Sequence, residues 1–82
     1  MKAEIWCKRD YRYGKETLHV WSGNLPVIPR IGEYVVVFEG WASALVENIH
    51  YFVYGEEPHV LIEIGADTTG EYEEKLEATN KT

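Results

Sequence analysis

Hydrophobic and polar residues alternate along two stretches in the first third of the chain, residues 3–9 and 17–22. A period of two is typical of a strand that is buried on one side. The side chains expected to face the core are, in order, Ala3, Ile5, Cys7, Leu18 and Val20. Gly14 lies midway between the two stretches and suits a turn that needs a positive φ. The pattern therefore predicts a β-hairpin.

The expected register of this hairpin places Cys7 opposite Val20 inside and Trp6 opposite Trp21 on the solvent-facing side. A cross-strand indole pair contributes about 0.5 to 1 kcal/mol to a hairpin. The two tryptophans therefore have two interpretations, which the sequence leaves open. They either clamp the hairpin or form part of an aromatic contact patch.

A connector and a β-prone run follow the hairpin. Residues 23–31 contain Pro26 and Pro29, so they cannot form a regular ladder of paired amides and are expected to be extended. The apolar residues of this connector are expected to cover one open end of the core; they are Leu25, Val27 or Ile28, and Ile31. Residues 33–38 follow Gly32 and are rich in valine, which predicts the central strand of the fold. Val35 and Val37 are expected to point inward with Ile31, and the second face then carries Tyr34, Val36 and Phe38.

A turn at Glu39-Gly40 leads into a long apolar run, residues 41–54, whose period is interrupted at Glu47-Asn48. Two residues lie between successive inward positions where regular alternation has one, which indicates a β-bulge that bends a strand. A helical turn at the start of this run is the alternative that the sequence leaves open.

The turn at residues 55–58 joins this run to an alternating stretch, residues 59–65. The second stretch places Val60, Ile62 and Ile64 inward. The expected inside pairs are Val53–Val60, Tyr51–Ile62 and Ile49–Ile64, and the outside pairs are Phe52–Leu61 and His50–Glu63.

The resulting prediction is one all-β domain over residues 1–65, followed by an acidic tail over residues 66–82. The domain is expected to be a five-stranded meander curled into a small, partly open barrel, with strands near 2–11, 15–22, 34–39, 42–54 and 59–65. Capping-box spacing from Thr68 to Glu71 allows one short helix over residues 70–78 in the tail.

Charge and composition narrow the function classes. The chain has 82 residues and a net charge of −6, and residues 31–65 hold six glutamates without any lysine or arginine. Such a surface repels phosphate backbones, which disfavours nucleic acid as a partner. The single Cys7, the absence of a long apolar run and an N-terminus unlike a signal peptide together predict a cytoplasmic protein that has no membrane partner.

The expected placement of the residues argues against a metal site, a cofactor site or a catalytic site. On the expected register His50 and His59 begin roughly 13 Å apart, whereas zinc ligands converge to about 2 Å from one ion. No nucleophile elbow, P-loop or dinucleotide motif is present. We expect neither an enzyme nor a cofactor, and interpret His50 with Glu63 as a surface pair.

One segment carries a family resemblance. Leu25-Pro26-Val27-Ile28-Pro29-Arg30-Ile31-Gly32-Glu33-Tyr34-Val35, followed by a long bent strand and a hairpin that ends Val60-Leu61-Ile62-Glu63-Ile64, resembles small uncharacterised bacterial and phage proteins with SH3-like barrels. In these proteins a Pro-Arg-(Ile/Val)-Gly-(Asp/Glu)-x-Val segment opens the central strand. The resemblance covers residues 25–65. It implies an SH3-like fold but no activity, because such barrels serve several functions.

The function expected is that of a protein-binding or assembly module without catalysis, whose partner the sequence does not identify. The candidate contact residues are aromatic, because such side chains bury much area at little entropic cost; they are Trp6, Trp21, Tyr34, Phe38, Trp41, Phe52 and Tyr54. The alternative is an acidic mimic of nucleic acid that occupies a nucleic-acid-binding host protein through the tail carboxylates and Glu47, Glu56, Glu57 and Glu63.

A homodimer is also expected, because a domain of this size has a thin core and no disulfide to support it. The apolar residues expected to meet across the dimer are Val36, Phe38, Phe52 and Leu61. The alternative left open is that the tail folds back over the same face through Tyr72 and Leu76.

Overall fold

The computed structural model describes residues 1–8 and 17–65 of the chain. This part contains five strands and no helix; the strands are β1 (Lys2–Lys8), β2 (Thr17–Asn24), β3 (Tyr34–Val35), β4 (Ala44–Phe52) and β5 (His59–Ile64). They form one open, curled half-barrel. The predicted all-β class with five strands in a partly open barrel is confirmed and is consistent with a small SH3-like fold.

The strand order in the sheet is β2-β1-β5-β4-β3. β1 and β5 are parallel neighbours, and the other neighbours are antiparallel. The expected meander is therefore wrong at one step, because β2 and β3 do not pair and instead form the two edges of the sheet. The connector between them carries Pro26 and Pro29 and has no tight turn that could return the chain alongside β2.

The prediction that residues 33–38 form the central strand is also wrong. β3 has two residues, lies at an edge and pairs only with β4. Turns bound the segment on both sides, since Gly32 has a φ of 93° and Gly40 a φ of 83°. Because β4 begins only at Ala44, which pairs with Val35, the residues that follow Val35 have no opposite strand to join.

The core lies between the faces of β1, β5 and β4, and β5 is the middle strand. Among the residues that the structure describes, nine hydrophobic ones are buried: Ala3, Ile5, Cys7, Val20, Ala44, Val46, Val60, Ile62 and Ile64. The inward positions predicted for β1 and β5 are confirmed. In the parallel pair Ala3 lies beside Val60, Ile5 beside Ile62 and Cys7 beside Ile64.

The connector covers the core with only some of its apolar residues. Leu25 and Ile28 pack against the core, as expected, whereas Val27 and Ile31 are exposed. The inward position predicted for Ile31 is wrong, because Ile31 lies in a turn closed by a 3.1 Å hydrogen bond from Glu33 N to Arg30 O. Val35 and Val37 do pack against the core.

The bulge predicted in the long strand is confirmed. Val46 pairs with Ile64 and Asn48 with Glu63, so β4 advances two residues while β5 advances one. The helical alternative for this stretch is wrong, because residues 44–47 belong to β4. The turn predicted at Glu39-Gly40 is also present, closed by a 3.0 Å hydrogen bond from Trp41 N to Phe38 O.

The register predicted for the second hairpin is two residues out. Phe52 pairs with His59 rather than Leu61, and Tyr51 with Val60 rather than Ile62. β4 ends at Phe52 and β5 begins at His59, so the connection is two residues longer than a turn over residues 55–58. A shift of two keeps each paired side chain on the same side of the strand. The inward positions predicted for Tyr51 and Val53 are nevertheless wrong, because Tyr51 is 58% exposed near the end of β4 and Val53 is 78% exposed beyond it.

Several predictions lie outside the described residues. They are the turn around Gly14, the ends of the first two strands next to it, the helix over residues 70–78 and the folding back of the tail. Across residues 1–8 and 17–65, no helix is long and apolar enough to cross a membrane.

Candidate functional site

A bulge in β2 separates the two tryptophans of the first hairpin. Trp6 pairs with His19 and Ile5 with Trp21, so Val20 is the extra residue. The predicted Trp6–Trp21 pair is therefore wrong. Trp21 turns toward the side of Ile5 and packs, partly buried, against the core, whereas Trp6 lies on the outer face of the sheet.

Trp6 contacts a histidine rather than an indole. Its ring and that of His19 meet edge to face, with centroids 4.8 Å apart, and His19 Nε2 lies 2.8 Å from Ser22 Oγ. The Trp6 Nε1 atom is buried and has no hydrogen-bond partner among the residues that the structure describes. The geometry favours a structural role for Trp6 in the hairpin.

An open groove of about 470 Å³ lies at the mouth of the half-barrel, between the β2 and β3 sides. Three parts of the chain line it: Ile5 and Trp21 of the first hairpin, Leu25 and Val27–Pro29 of the connector, and Glu33–Val37 around β3. The volume falls within the range of protein ligand sites, about 300 to 1,000 Å³.

The groove is apolar and partly open to solvent. Val27 is 76% exposed, Tyr34 69% and Val36 60%. The charged side chain among the lining residues is Glu33, whose Oε1 accepts a 2.6 Å hydrogen bond from Arg30 N. Contiguous exposed apolar surface of this kind marks interaction sites in soluble proteins.

The other predicted contact residues lie in two further groups. The rings of Phe38 and Trp41 are tilted at 54° to each other with centroids 4.5 Å apart, and both pack against the core, so they close the turn between them. Phe52 stacks on His59 at 4.8 Å with an interplanar angle of 17°, and Tyr54 meets both rings edge to face.

The structure thus distributes the seven predicted residues over four places and brings only Trp21 and Tyr34 together in the groove. The groove also contains residues that the sequence did not single out for contact, among them Val27, Ile28 and Pro29. A signal for them was present, because an apolar run next to proline cannot be buried in a sheet.

Glu63 organises a polar cluster on the outer face. Asn48 Nδ2 donates a 3.2 Å hydrogen bond to Glu63 Oε2, and His50 Nε2 lies 3.3 Å from Glu63 Oε1. The predicted His50–Glu63 pair is therefore present, although His50 stands opposite Leu61 in the ladder. In the described part of the chain, no three His, Cys, Asp or Glu side chains are placed to hold a metal ion.

The described glutamates assigned to nucleic-acid mimicry are spread along β4 and the turn after it, and the tail carboxylates lie outside the described residues. Glu47 lies in the β4 bulge, and Glu56 and Glu57 lie in the turn beyond the other end of that strand. About 17 Å of strand separates Glu47 from Phe52 alone.

Gly23 supports the position of the Trp21 ring. A Cβ atom at residue 23 would lie 2.7 Å from Cζ2 and 2.9 Å from Cη2 of Trp21. We expect Gly23→Ala to displace the ring and to lower the free energy of unfolding by about 1 to 3 kcal/mol. Urea denaturation measures the loss, and the ¹⁹F resonance of 5-fluorotryptophan at residue 21, assigned with Trp21→Phe, reports the displacement.

Gly55→Ala is the control, because Gly55 has a φ of 85° but no atom within 4 Å of a Cβ placed there. Its cost is about 1 to 2 kcal/mol of backbone strain, and the Trp21 resonance should not move. A Gly23→Ala variant with an unshifted Trp21 resonance would contradict the prediction.

No family model, curated protein or solved structure matches the chain at a significant level.

Proposed function

We propose that the chain is a protein-binding module without catalytic activity and that the groove at the open mouth of the half-barrel is its contact surface. The observation that carries this proposal is the apolar lining of the groove, with Val27, Tyr34 and Val36 all more than half exposed. A protein partner that covered them would remove this apolar surface from water, which is the main favourable term in association.

Two aromatic residues give the groove suitable anchors. Trp21 is already held against the core and Gly23, so little conformational freedom is lost when a partner covers it. Tyr34 combines a large apolar ring with a polar hydroxyl, a combination enriched at interfaces. Trp and Tyr are also the residue types at which binding energy concentrates.

Burial of exposed apolar side chains is sufficient to drive such binding. Each fully buried large apolar side chain contributes about 1.5 to 3 kcal/mol, and the groove offers three that are exposed, besides Trp21. Association costs about 4 kcal/mol or more in lost translational and rotational freedom. The three exposed side chains together contribute about 4.5 to 9 kcal/mol, so the net gain is at most about 5 kcal/mol. A weak affinity, with a dissociation constant of about 0.2 mM or higher, is therefore expected from the groove alone.

Self-association stays a prediction. The four residues expected to meet across the dimer lie in different parts of the structure. Val36 is exposed at the groove, but Phe38 packs against the core. Phe52 and Leu61 are partly buried and occupy ladder positions on the outer face of the sheet. Light scattering of the full chain measures the oligomeric state directly.

The proposed location is the cytoplasm. Cys7 is buried, and its Sγ donates a 3.2 Å hydrogen bond to Gly65 O. A reducing compartment suits a domain whose stability uses no disulfide.

Photo-crosslinking tests the proposed surface. Benzoylphenylalanine replaces Tyr34 in one variant and Tyr54 in another; both tyrosines are exposed, 69% and 72%, but only Tyr34 lines the groove. In a lysate of the native host, we expect the residue 34 probe to capture a protein that the residue 54 probe does not. Capture should be competed by excess unlabelled chain.

Substitution then gives the energetic test with the captured protein after purification. We expect Tyr34→Ser to weaken binding about 30-fold, the effect of losing an aromatic hot spot, while Tyr54→Ser changes it less than threefold. Both variants should unfold within about 0.5 kcal/mol of the parent, because both side chains are largely exposed. Equal losses of affinity, or identical crosslinks from both probes, would overturn the proposal.

A further inference from the structure

The most β-prone run of the chain is the one that the sheet uses least. Residues 34–38 read Tyr-Val-Val-Val-Phe, yet the strand ends after Val35, and Val36 and Val37 lie outside any strand. β-branched and aromatic residues favour the extended conformation. The segment is therefore suited to strand pairing but has pairing on one side for two residues only.

The hydrogen bonds to β4 show which backbone groups of this segment are free. Val46 N donates to Glu33 O at 2.8 Å, and Gly32 N donates to Val46 O at 2.9 Å. In an antiparallel ladder successive residues direct their N–H and C=O groups to opposite sides. Glu33 directs its C=O toward β4, so Tyr34 directs its backbone groups away from β4. Among the described residues, no partner strand lies on that side.

The free edge and the groove coincide at Tyr34. The Tyr34 side chain lines the groove, and so does that of Val36, the next residue in the same phase along the chain. An edge that combines unpaired backbone groups with apolar pockets for alternate side chains is the site used in strand addition.

We infer that the partner contributes an extended segment, which pairs with the free edge of β3 and places alternate apolar side chains in the groove. This inference rests on the proposed function and specifies its mode of recognition. The added strand would extend the pairing into Val36 and Val37 and would fill part of the gap between β3 and β2. The chain would thus recognise a short linear segment of another protein.

Charge indicates the composition of that segment. Glu33 is the charged side chain among the residues that line the groove, and β3 belongs to a stretch, residues 31–65, that contains no lysine or arginine. A segment that carries Lys or Arg next to its apolar positions would complement this field. A second copy of the chain is disfavoured as the occupant, because each copy carries a net charge of −6.

A display library of random twelve-residue peptides, selected on the full-length chain, tests this inference. We expect the selected peptides to alternate apolar and polar residues, to contain Lys or Arg, and to lose affinity with Tyr34→Ser but not with Tyr54→Ser. Selection of proline-rich or acidic peptides would overturn the inference, as would a chain that binds only copies of itself.

Methylation of single peptide amides then tests strand pairing. Each N-methyl group removes one donor and obstructs the edge that carries it, so methylation should weaken binding at every second residue, by about fivefold or more. Methylation of the intervening residues should change affinity less than twofold. On the protein, hydrogen exchange of the Tyr34 amide should slow at least tenfold when the peptide binds.

The outcomes separate the inference from the function on which it rests. Peptides that need Tyr34 but show no two-residue period under methylation, and no slowing of Tyr34 exchange, would leave the groove as a binding site and would overturn strand addition. Peptides whose binding is insensitive to Tyr34→Ser would overturn both.

Discussion

Ile62→Ala is expected to lower the free energy of unfolding by about 2 to 5 kcal/mol, the range measured when a buried isoleucine or leucine is truncated. Ile62 is fully buried in β5 and lies between Ile5 of β1 and Ile49 of β4 in the two ladders. A cavity at this position is bounded by strands on both sides, which limits how far the surroundings can close it. Stability of about 0.05 to 0.15 kcal/mol per residue amounts to about 4 to 12 kcal/mol for this chain, so the loss is a large fraction of the total.

Urea denaturation followed by far-UV circular dichroism measures the effect, and Val53→Ala is its control. Val53 is 78% exposed and lies just beyond the end of β4. Its substitution should change the free energy of unfolding by less than about 0.5 kcal/mol. If the two variants unfolded at the same urea concentration, β5 could not be the centre of the core.

The residues that form this core could be predicted from the sequence because each depends on a local pattern. Alternation alone identified the buried sides of β1 and β5, and the interruption at Glu47-Asn48 identified the bulge in β4. A period of two is imposed by the strand itself. It therefore holds whichever strands become neighbours.

Registers and strand order could not be predicted in the same way. The second hairpin is shifted by two residues because its connection is longer than a four-residue turn, and the shift leaves the same faces buried, so the pattern could not distinguish the two registers. The first hairpin contains an extra residue at Val20, which no interruption of the apolar pattern indicates. The parallel pairing of β1 with β5 joins distant parts of the chain.

The candidate site was predicted only in part for the same reason. Aromatic residue type identified Trp21 and Tyr34, but whether an aromatic side chain lines a groove or packs against the core is decided by tertiary structure. Phe38 and Trp41 pack against the core, whereas Tyr34 is exposed. High β-propensity suggested a central strand at residues 33–38, whereas in the structure these residues lie at an edge of the sheet.

Insertion of one alanine after Glu47 is expected to lower the free energy of unfolding by about 2 to 5 kcal/mol, because the bulge already holds the one extra residue of β4 and a second would put the two halves of the strand out of phase. If residues 48–52 kept their pairing with β5, the strand before them would turn over and Val46 would leave the core. Val46 is 1% exposed, and exposing such a side chain costs about 1.5 to 3 kcal/mol. Its hydrogen bonds to Gly32 and Glu33 would be lost as well.

The other arrangement, in which the second half of β4 turns over, costs a similar free energy. If Ala44–Val46 kept their places, residues 48–52 would turn over, and His50 and Asn48 would face the core. Burial of a polar group without a partner costs about 1 to 3 kcal/mol in proteins, and Ile49 would lose its contact with the core cluster. Both routes lead to a loss comparable with that of Ile62→Ala.

Glu47→Ala is the matched control, since it places an alanine at the exposed bulge position without lengthening the strand. We expect it to unfold within about 0.5 kcal/mol of the parent. Because Val46 joins β3 to the sheet, the insertion should also speed the hydrogen exchange of the Val46 amide, which donates to Glu33 O. An insertion variant as stable as Glu47→Ala would show that the bulge can hold a further residue, and the phase of β4 would then not depend on the length of the bulge.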